Sequence, residues 1–385
     1  MNLIHRHVFF NVLGTCAAAV ALFGFVLMAG NIFKELLGPA ISGQLPFDTL
    51  LRLLGLMVPV VVSYALPMGM LSGILLVLGR MSSDREITAL RASGMSVAWI
   101  STPILFLALL GVATSLAINF QFMPVAKVAY ETELRSAARK NPVSFIVPRT
   151  FIRDFPGRVL YVGFKNGNHL QDFWYWELDG RNRAKQAIHA ETGRVDYDEK
   201  NGNVELTLEH AAIENRDDKD PENFHLRPGT MSMDQASLKL PLGLAGGNTT
   251  VRKKLQWLTF PQLMAERERL LHPDASVPPD ERFTQLIRVQ MTIQEKFATA
   301  FSVLSFALIA IPLGIKVSRR ETSANLGLGI VLALTYYFVT VMVSWCDGRP
   351  WLRPDLLMWV PNIGFQILGL WLFYKLDRSA ARLTG

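Results

Sequence analysis

The chain has 385 residues, of which 50% are hydrophobic and only 18% are charged, and its formal net charge is +7. This composition, with a mean hydropathy of +0.24, is unusual for a water-soluble protein and indicates a membrane protein. The net charge does not indicate a nucleic-acid partner, because basic loops beside a membrane are attracted to anionic headgroups.

Six stretches with few or no charged residues are long enough to cross a bilayer. A transmembrane helix needs about 20 apolar residues to cross about 30 Å of hydrocarbon. The first stretch, of about 26 residues, exceeds the roughly 7–15 of a signal-peptide core, so we predict a retained anchor. The six predicted spans are residues 8–33, 53–79, 97–126, 297–315, 322–346 and 356–374.

A short charged segment, LGRMSSDREITALRASGMS, separates the second and third predicted spans at residues 78–96. Ser83 and Glu86 have the spacing of a capping box, which predicts that a helix starts here. Arg91 would lie near the negative end of the helix dipole, and Gly94 could close the helix. The pattern predicts a short helix over about residues 83–93.

The predicted helix has two interpretations. Ile87 and Leu90, three residues apart, could form an apolar ridge beside exposed Glu86 and Arg91, which is typical of a helix that docks in a groove of another protein. Alternatively, the helix could lie on lipid headgroups, with its arginines serving only to orient the chain. The absence of an internal energy source favours docking.

The distribution of basic residues predicts the orientation of the chain. With six spans, both termini lie on the same side of the membrane, and the short loops on that side are rich in Lys and Arg. The positive-inside rule therefore places both termini in the cytoplasm. The basic residues on this side are Arg80, Arg85, Arg91, Lys316, Arg319, Arg320, Lys375 and Arg378.

The long segment between the third and fourth predicted spans has the composition of a soluble domain. RVLYVGFKNGNHLQDFWYWELDG (158–180) has two β-rich runs around an Asn-Gly turn, and GRVDYDEKNGNVELTLEHAAIE (193–214) repeats this arrangement around Asn201 and Gly202. These patterns are typical of β-hairpins, and they predict an antiparallel sandwich or open barrel of the jelly-roll type. Further strands are expected at 149–155, 184–190 and 229–240.

Aromatic residues and another helix complete this segment. Residues 173–176, FWYW, fit either an ordinary sheet core or the lining of a groove for acyl chains. The stretch LTFPQLMAERERLL (258–271) predicts a helix that connects back to the fourth span. Thr259 and Gln262 have capping-box spacing, and Pro261 lies in the first turn.

The sequence lacks the usual catalytic motifs, because it contains neither Gly-x-Ser-x-Gly nor His-Glu-x-x-His, and its histidines do not have the spacing of metal ligands. The middles of the six predicted spans lack the ionisable residues that ion-driven transport needs. No Gly-Lys pair is present, so the chain has no phosphate-binding loop of an ATPase. If the protein drives active transport, the energy would come from a partner.

The stretch LPMGMLSGILLVLGRMSSDREITALRASG (66–94) resembles the signature of the lipopolysaccharide export permeases, the LptF/LptG family, also called YjgP/YjgQ. That pattern runs Pro-Met, small residues, Leu-Gly, then Glu and a terminal Ala-Ser-Gly. The order of three spans, an outer β domain and three spans agrees with this family, as do the segments VLYVGFKNGNHLQDFWYWELD and SRRETSANLGLGIVLALTYYF. The resemblance covers nearly the whole chain.

The resemblance implies a permease subunit of an ABC transporter rather than an enzyme. The subunit would pair with itself or with a sibling, and it would bind a dimer of cytoplasmic ATPase subunits through the helix at 83–93. It would extract lipopolysaccharide from the inner membrane and pass it to a periplasmic bridge protein with a β-jellyroll. No cofactor would bind this chain directly, and the partner would use ATP.

The resemblance also implies roles for individual residues. Glu86 matches the acidic coupling position of the family, and the residues expected to support this contact are Ile87, Leu90, Arg91 and Gly94. Family members contact lipid A phosphates through basic residues at the outer end of the first span, and Lys34 is the matching residue here. Unlike members with several lysines there, this chain has no other cation in the preceding LMAGNIF. Lys127 and Lys296 could assist or could be interfacial anchors.

We therefore predict an α-helical polytopic protein of the bacterial inner membrane, with six transmembrane helices and an inserted antiparallel β-jellyroll periplasmic domain. Residues 1–126 would hold the first three spans and the coupling helix, 127–296 the β domain and its connecting helix, and 297–385 the last three spans and a cytoplasmic tail. The alternative is a non-transporting scaffold or sensor whose outer β domain binds a partner. A continuous apolar interior would favour transport, whereas a closed core would favour binding.

Overall fold

A computed structural model of the protein describes residues 3–37, 40, 46–140, 148–152, 157–179, 183–198, 203–216, 229–241, 254–271, 279–316, 322–346 and 350–381. The chain forms two compact units. The first, here called the membrane unit, comprises Met1–Ile32, Leu54–Tyr130 and Lys253–Gly385. The second, here called the β unit, comprises Phe33–Leu53 and Glu131–Arg252.

The helices follow the apolar runs of the sequence. Short π-helical turns, Ile32–Leu36 and Ile118–Phe122, follow the first and fourth helices, and 3₁₀ turns lie at Leu255–Trp257 and Pro350–Leu352. The α-helices are α1 (Leu3–Asn31), α2 (Phe47–Ser83), α3 (Glu86–Ala92), α4 (Val97–Ala117), α5 (Met123–Lys140), α6 (Phe260–Leu271), α7 (Pro279–Lys316), α8 (Thr322–Ser344), α9 (Pro354–Leu357) and α10 (Val360–Ala381).

Within the described residues, six helical segments are long and apolar enough to cross a membrane, as predicted. The fourth begins at Arg282, well before the predicted position 297, because the polar first turns of α7 continue into the apolar part without a break. The six segments are Leu3–Lys34, Phe47–Ser83, Val97–Leu134, Arg282–Lys316, Gly327–Ser344 and Pro354–Asp377.

Helices α2 and α7 form the centre of the membrane unit. The most apolar 18-residue stretches of α2 and α7 are 67% and 72% buried. The corresponding stretches of the first, fifth and sixth spans are only 17–22% buried. Gly314 permits the close contact, because a Cβ there would lie 2.8 Å from Cβ of Leu78. The first, fifth and sixth spans thus leave most of their apolar surface exposed in the single chain.

The β unit contains a single six-stranded antiparallel sheet in the described residues, in the order β1-β2-β3-β4-β5-β6. The Asn-Gly turn between β2 and β3 is confirmed, with Gly167 at φ 59°. The turn predicted at Asn201 and Gly202 lies outside the described residues. The strands are β1 (Phe151–Ile152), β2 (Arg158–Asn166), β3 (His169–Leu178), β4 (Ala184–Asp198), β5 (Asn203–Asn215) and β6 (Gly229–Pro241).

A crease crosses five strands of this sheet. Asp172 and His210 have positive φ angles of 54° and 53° within β3 and β5. Along this line, residues that face each other on neighbouring strands are not paired. The pairing has the same register on both sides of the line. The residues along the crease are Gly163, Asp172, Glu191, His210 and Asp234.

The alternation of buried and exposed residues along β3 is interrupted at the crease. In β3 the buried residues are Leu170 on one side and Phe173 and Tyr175 on the other, so the alternation shifts by one residue. Buried residues from both sides of the crease belong to one contiguous core. The crease thus lies within one core and does not divide it into two clusters.

Candidate functional site: the α3 segment and its apolar surroundings

The start of α3 differs from the predicted capping box. Ser83 is the last residue of α2, and α3 begins at Glu86 after Arg85, whose φ is 61° and whose side chain makes no capping bond. The N–H of Asp84 still bonds to the carbonyl of Arg80 at 2.9 Å. The prediction of a Ser83–Glu86 box was therefore wrong, because the second span continues as a helix through the predicted cap.

The end of α3 is confirmed at Gly94, which has φ 87°. The Gly94 N–H donates to the carbonyl of Arg91 at 3.0 Å, and the Met95 N–H donates to the carbonyl of Leu90 at 3.2 Å. These two bonds form a Schellman motif, which requires a left-handed residue at this position. Gly94 thus ends α3 and turns the chain toward Ser96, which accepts a bond from the Trp99 N–H and caps α4.

The two faces of α3 have different environments. Ile87 is only 3% exposed and packs in the core of the membrane unit with Val8 and Met81. The expected ridge of Ile87 and Leu90 is therefore not a free surface, because Ile87 anchors α3 to its own chain. Glu86 is exposed, and Leu90 and Arg91 are half-buried. These three residues remain accessible to a partner.

A cleft of about 820 Å³ lies between α3 and the first turns of α1. Glu86 and Leu90 line it from α3, and Arg6 and Phe10 line it from α1. The His5 Nε2–H donates to the carbonyl of Trp99 at 3.1 Å, which holds the start of α1 against the start of α4. The lining of the cleft thus combines apolar side chains with the anionic Glu86 and the cationic Arg6.

A second cleft, of about 660 Å³, lies among α1, α2 and α4. Its lining is predominantly apolar and includes Phe25, Val61 and Leu107. The sequence indicated apolar spans but did not show that three of them leave a concave surface. A cleft of this kind can accept an apolar chain without desolvating a charged group.

The three lysines predicted to contact lipid have different environments. Lys34 is exposed in the π-helical turn Ile32–Leu36, and Lys127 is half-buried in α5. Lys296 is only 6% exposed, and its Nζ donates to the carbonyl of Asn119 at 2.8 Å. Asn119, which sequence analysis missed, is a buried polar residue that accepts a bond from Ser63 Oγ at 2.7 Å.

The aromatic cluster of β3 is divided between the two faces of the sheet. Phe173 and Tyr175 are buried in the core, so the interpretation as a sheet core holds for them. Trp174 and Trp176 lie on the opposite face with ring centroids 5.7 Å apart, and Asp172 accepts a bond from Trp174 Nε1 at 2.8 Å. The alternation of a strand accounts for this division.

The apolar inner face of the β unit extends to β6, the last of its strands among the described residues. One ladder of paired residues runs from Phe173 through Ala190 and Ala211 to Met233. Phe173, Ala190 and Ala211 are fully buried, whereas Met233 is 39% exposed and Met231 is 53% exposed. The interior is thus continuous with accessible apolar surface at β6, the last strand of the sheet that the structure describes.

Comparison with known proteins agrees with these features. The family described as lipopolysaccharide export system permease LptF/LptG matches residues 6–375. The lipopolysaccharide export system permease protein LptF of Escherichia coli strain K12 is 22% identical over 350 residues, which cover 88% of this chain and 86% of that protein. The protein of the same name from Shigella flexneri gives the same values. The chain, a multi-pass protein of the inner membrane, therefore belongs to the LptF/LptG family of lipopolysaccharide export permeases.

Proposed function

We propose that this chain is the permease subunit of an ABC transporter that extracts lipopolysaccharide from the inner membrane, with a dimer of separate ATPase subunits as the energy source. The observation that carries the proposal is the geometry of α3. Ile87 anchors this helix in the membrane unit, while Glu86 is exposed beside the cleft formed with α1. A helix fixed on one face and accessible on the other can transmit a push from a bound partner to the spans.

The cleft beside α3 is suited to an amphipathic element of the ATPase. Leu90 and Phe10 contribute apolar surface to its lining, and Glu86 would pair with a basic side chain of the partner. Basic residues around this segment support a cytoplasmic location for it and for both termini. No cofactor needs to bind this chain, since ATP is bound and hydrolysed by the partner.

The lipid would need apolar shelter after it leaves the bilayer. Burial of acyl carbon is worth roughly 0.8 kcal/mol per CH₂, so several chains do not leave the membrane without an alternative apolar surface. The cleft among α1, α2 and α4 supplies part of that surface. A second permease subunit, identical or a sibling, would enclose it by packing on weakly buried spans.

The β unit would take the lipid next. The creased sheet encloses an apolar core, which supports the interpretation as a β-jellyroll-type periplasmic domain. The strand β6, with exposed Met231 and Met233, is suited to pairing with the edge strand of a periplasmic bridge protein that has its own β-jellyroll. Pairing at this edge would join the two apolar interiors.

The phosphates of the lipid would be contacted by cations near the outer ends of the spans. Lys34 is exposed and Lys127 is half-buried, so their ammonium groups can serve this role. Lys296 was predicted to assist them, but its Nζ is held by backbone carbonyls.

The proposal is tested by co-purification from the native membrane, with mass spectrometry of the bound proteins and lipids. We expect the wild-type chain to bring an ABC-type ATPase and a lipid A-bearing glycolipid. Glu86→Arg should lose the ATPase and keep the glycolipid, because charge reversal affects only the α3 contact. Thr88→Arg is the matched control, since Thr88 is exposed on the same helix but is not part of the cleft.

Two outcomes would contradict the proposal. If the wild-type chain brings neither an ATPase nor a glycolipid, the chain does not act as this transporter, and a scaffold or sensor function is favoured. If Glu86→Arg and Thr88→Arg retain the ATPase equally, docking does not depend on the cleft beside α3.

A further inference from the structure

The third span contains a break with an unusual hydrogen-bond pattern. Between α4 and α5 the helix widens into the π-helical turn Ile118–Phe122. The Met123 N–H bonds to the carbonyl of Ile118, five residues back, as in a π-helix. The next donor in this series would be residue 124, which is a proline and has no N–H. The carbonyl of Asn119 is therefore left without a donor from its own helix.

Lys296 supplies the missing donor from the fourth span. Its Nζ donates to the carbonyl of Asn119 at 2.8 Å and lies 5.7 Å from the ring centroid of Phe120. A buried carbonyl without a partner is costly, and a buried ammonium group needs acceptors, so the two groups satisfy each other. The pairing explains why a lysine can be buried here, just before the apolar part of α7 begins.

The same ammonium group also reaches the segment before α6. Lys296 Nζ lies 3.4 Å from the carbonyl of Leu258, two residues before α6 begins. Helix α6 then packs on α7 through Leu263 and Ile293. In the chain, α6 is the element that follows the β unit, so Lys296 ties the third span to the return segment from that unit.

The side chain of Asn119 holds the break from the other side. Ser63 Oγ of α2 donates to Asn119 Oδ1 at 2.7 Å, and Asn119 Nδ2 donates to the carbonyl of Ser115 at 2.9 Å. The carbonyl, the Oδ1 and the Nδ2 of Asn119 are thus all bonded within the membrane unit. The second, third and fourth spans meet at this residue.

We propose that Lys296 is a positioning residue: it caps the carbonyl that Pro124 leaves without a donor and holds the segment before α6 against the break in the third span. Transport would need this capped arrangement and not a cation at position 296 that contacts the lipid. The transport part rests on the proposed function, whereas the capping part concerns the folded chain alone.

The capping role is tested by a double-mutant cycle on the full-length chain in lipid nanodiscs, with unfolding followed by intrinsic fluorescence. Lys296→Met should lower the folded-to-unfolded ratio by about tenfold, the effect of one unsatisfied buried carbonyl. In a Pro124→Ala background the same substitution should cost less than half as much, because the new N–H of residue 124 lets the helix satisfy its own carbonyls. Lys127→Met is the control and should have the same effect in both backgrounds. Equal losses for Lys296→Met in both backgrounds would overturn the proposal.

The positioning role is tested by the amount of lipid released per ATP hydrolysed in proteoliposomes that contain the chain with its co-purified ATPase. Lys296→Met should lower this ratio, and Pro124→Ala combined with Lys296→Met should restore at least half of the loss. A smaller amount of folded protein would lower lipid release and ATP hydrolysis together, so it would not change the amount of lipid released per ATP. If the double variant stays as low as Lys296→Met, the cation itself is needed and the proposal fails.

The failure of the proposed function is distinguishable from the failure of this inference. If the wild-type chain releases no lipid with any ATPase, the proposed function is overturned. In that case the unfolding cycle alone decides whether Lys296 caps the break, since it requires neither lipid nor ATP.

Discussion

Gly73 of α2 and Cys16 of α1 lie in direct backbone contact: a Cβ on Gly73 would lie 2.7 Å from the Cα of Cys16. Gly69, one turn earlier, faces Val20 in the same way, so the two glycines form a Gly-x-x-x-Gly contact between the first two spans. Both glycines lie in the stretch that resembles the family signature. The small residues of that signature thus have a physical reason in this chain, because they let α1 pack on α2.

Gly73→Leu should separate α1 from α2 and destabilise the membrane unit. Overpacking of a close contact costs about 1–3 kcal/mol, and a backbone contact leaves little room for adjustment. Gly55→Leu on the same helix is the control, because a Cβ at Gly55 meets no atom within 4 Å. Thermal unfolding in detergent should show a lower midpoint for Gly73→Leu only; equal midpoints would contradict the close contact.

Ile87→Ala should detach α3 from the membrane unit. Truncation of a fully buried aliphatic side chain costs about 2–5 kcal/mol, and Ile87 is 3% exposed. Leu90→Ala should have a smaller effect on stability, since Leu90 is half-buried. Limited proteolysis should show faster cleavage in α3 for Ile87→Ala than for Leu90→Ala. Equal cleavage rates for both variants would show that Ile87 is not the anchor.

Gly94→Ala should weaken the end of α3. At φ 87° an L-residue is strained, and the left-handed conformation costs roughly 1–2 kcal/mol. Ser93→Ala removes only the bond from Ser93 Oγ to the carbonyl of Leu90, so it should have a smaller effect. Hydrogen exchange of the Met95 amide should be faster in Gly94→Ala than in Ser93→Ala. Unchanged exchange in Gly94→Ala would mean that the Schellman motif does not hold this end.

Asp172→Val should destabilise the β unit more than Asp196→Val does. Asp172 has φ 54° at the crease, and a β-branched residue in that region costs on the order of 1–3 kcal/mol. Both aspartates lie on half-exposed positions, so the change of charge is matched. Asp172→Ala loses the same bonds to Trp174 and His189 without a branched Cβ, so it controls for the lost hydrogen bonds. Unfolding of the full chain, followed by tryptophan fluorescence, gives the comparison. If both variants lose the same stability, the backbone at Asp172 is not the cause.

A photo-reactive residue at Met233 should crosslink to the transported lipid, whereas one at Ser232 should not. The two positions are adjacent in β6 but face opposite sides of the sheet, and Met233 pairs with the buried Ala211. The crosslink should require ATP and the partner ATPase. Equal labelling at both positions would mean that the lipid does not follow the inner face of the β unit.

Local patterns in the sequence determined the elements of this protein. Each span is a run of apolar residues of sufficient length, each hairpin has alternation around a turn residue, and Gly94 ends α3 because only glycine readily adopts its conformation. These signals depend on neighbours within a few residues. They need no knowledge of what lies across the fold, and so most of the spans and strands and the end of α3 were predicted near their observed positions. The exceptions are the fourth span, which begins at Arg282, and β4, a single strand that joins the predicted strand at 184–190 to the run that begins at 193.

The tertiary structure decided which side chains are available for function. Ile87 fits an exposed ridge by spacing alone, yet it is buried, because it packs in the core of the membrane unit with residues from other helices. Lys296 fits an interfacial anchor, yet its ammonium group is bonded inside the membrane unit, because a proline more than 170 positions away leaves a carbonyl without a donor. The crease of the β unit likewise requires five strands to bend along one line. Burial and long-range hydrogen bonds depend on packing between segments that are distant in the chain, and no local pattern contains that information.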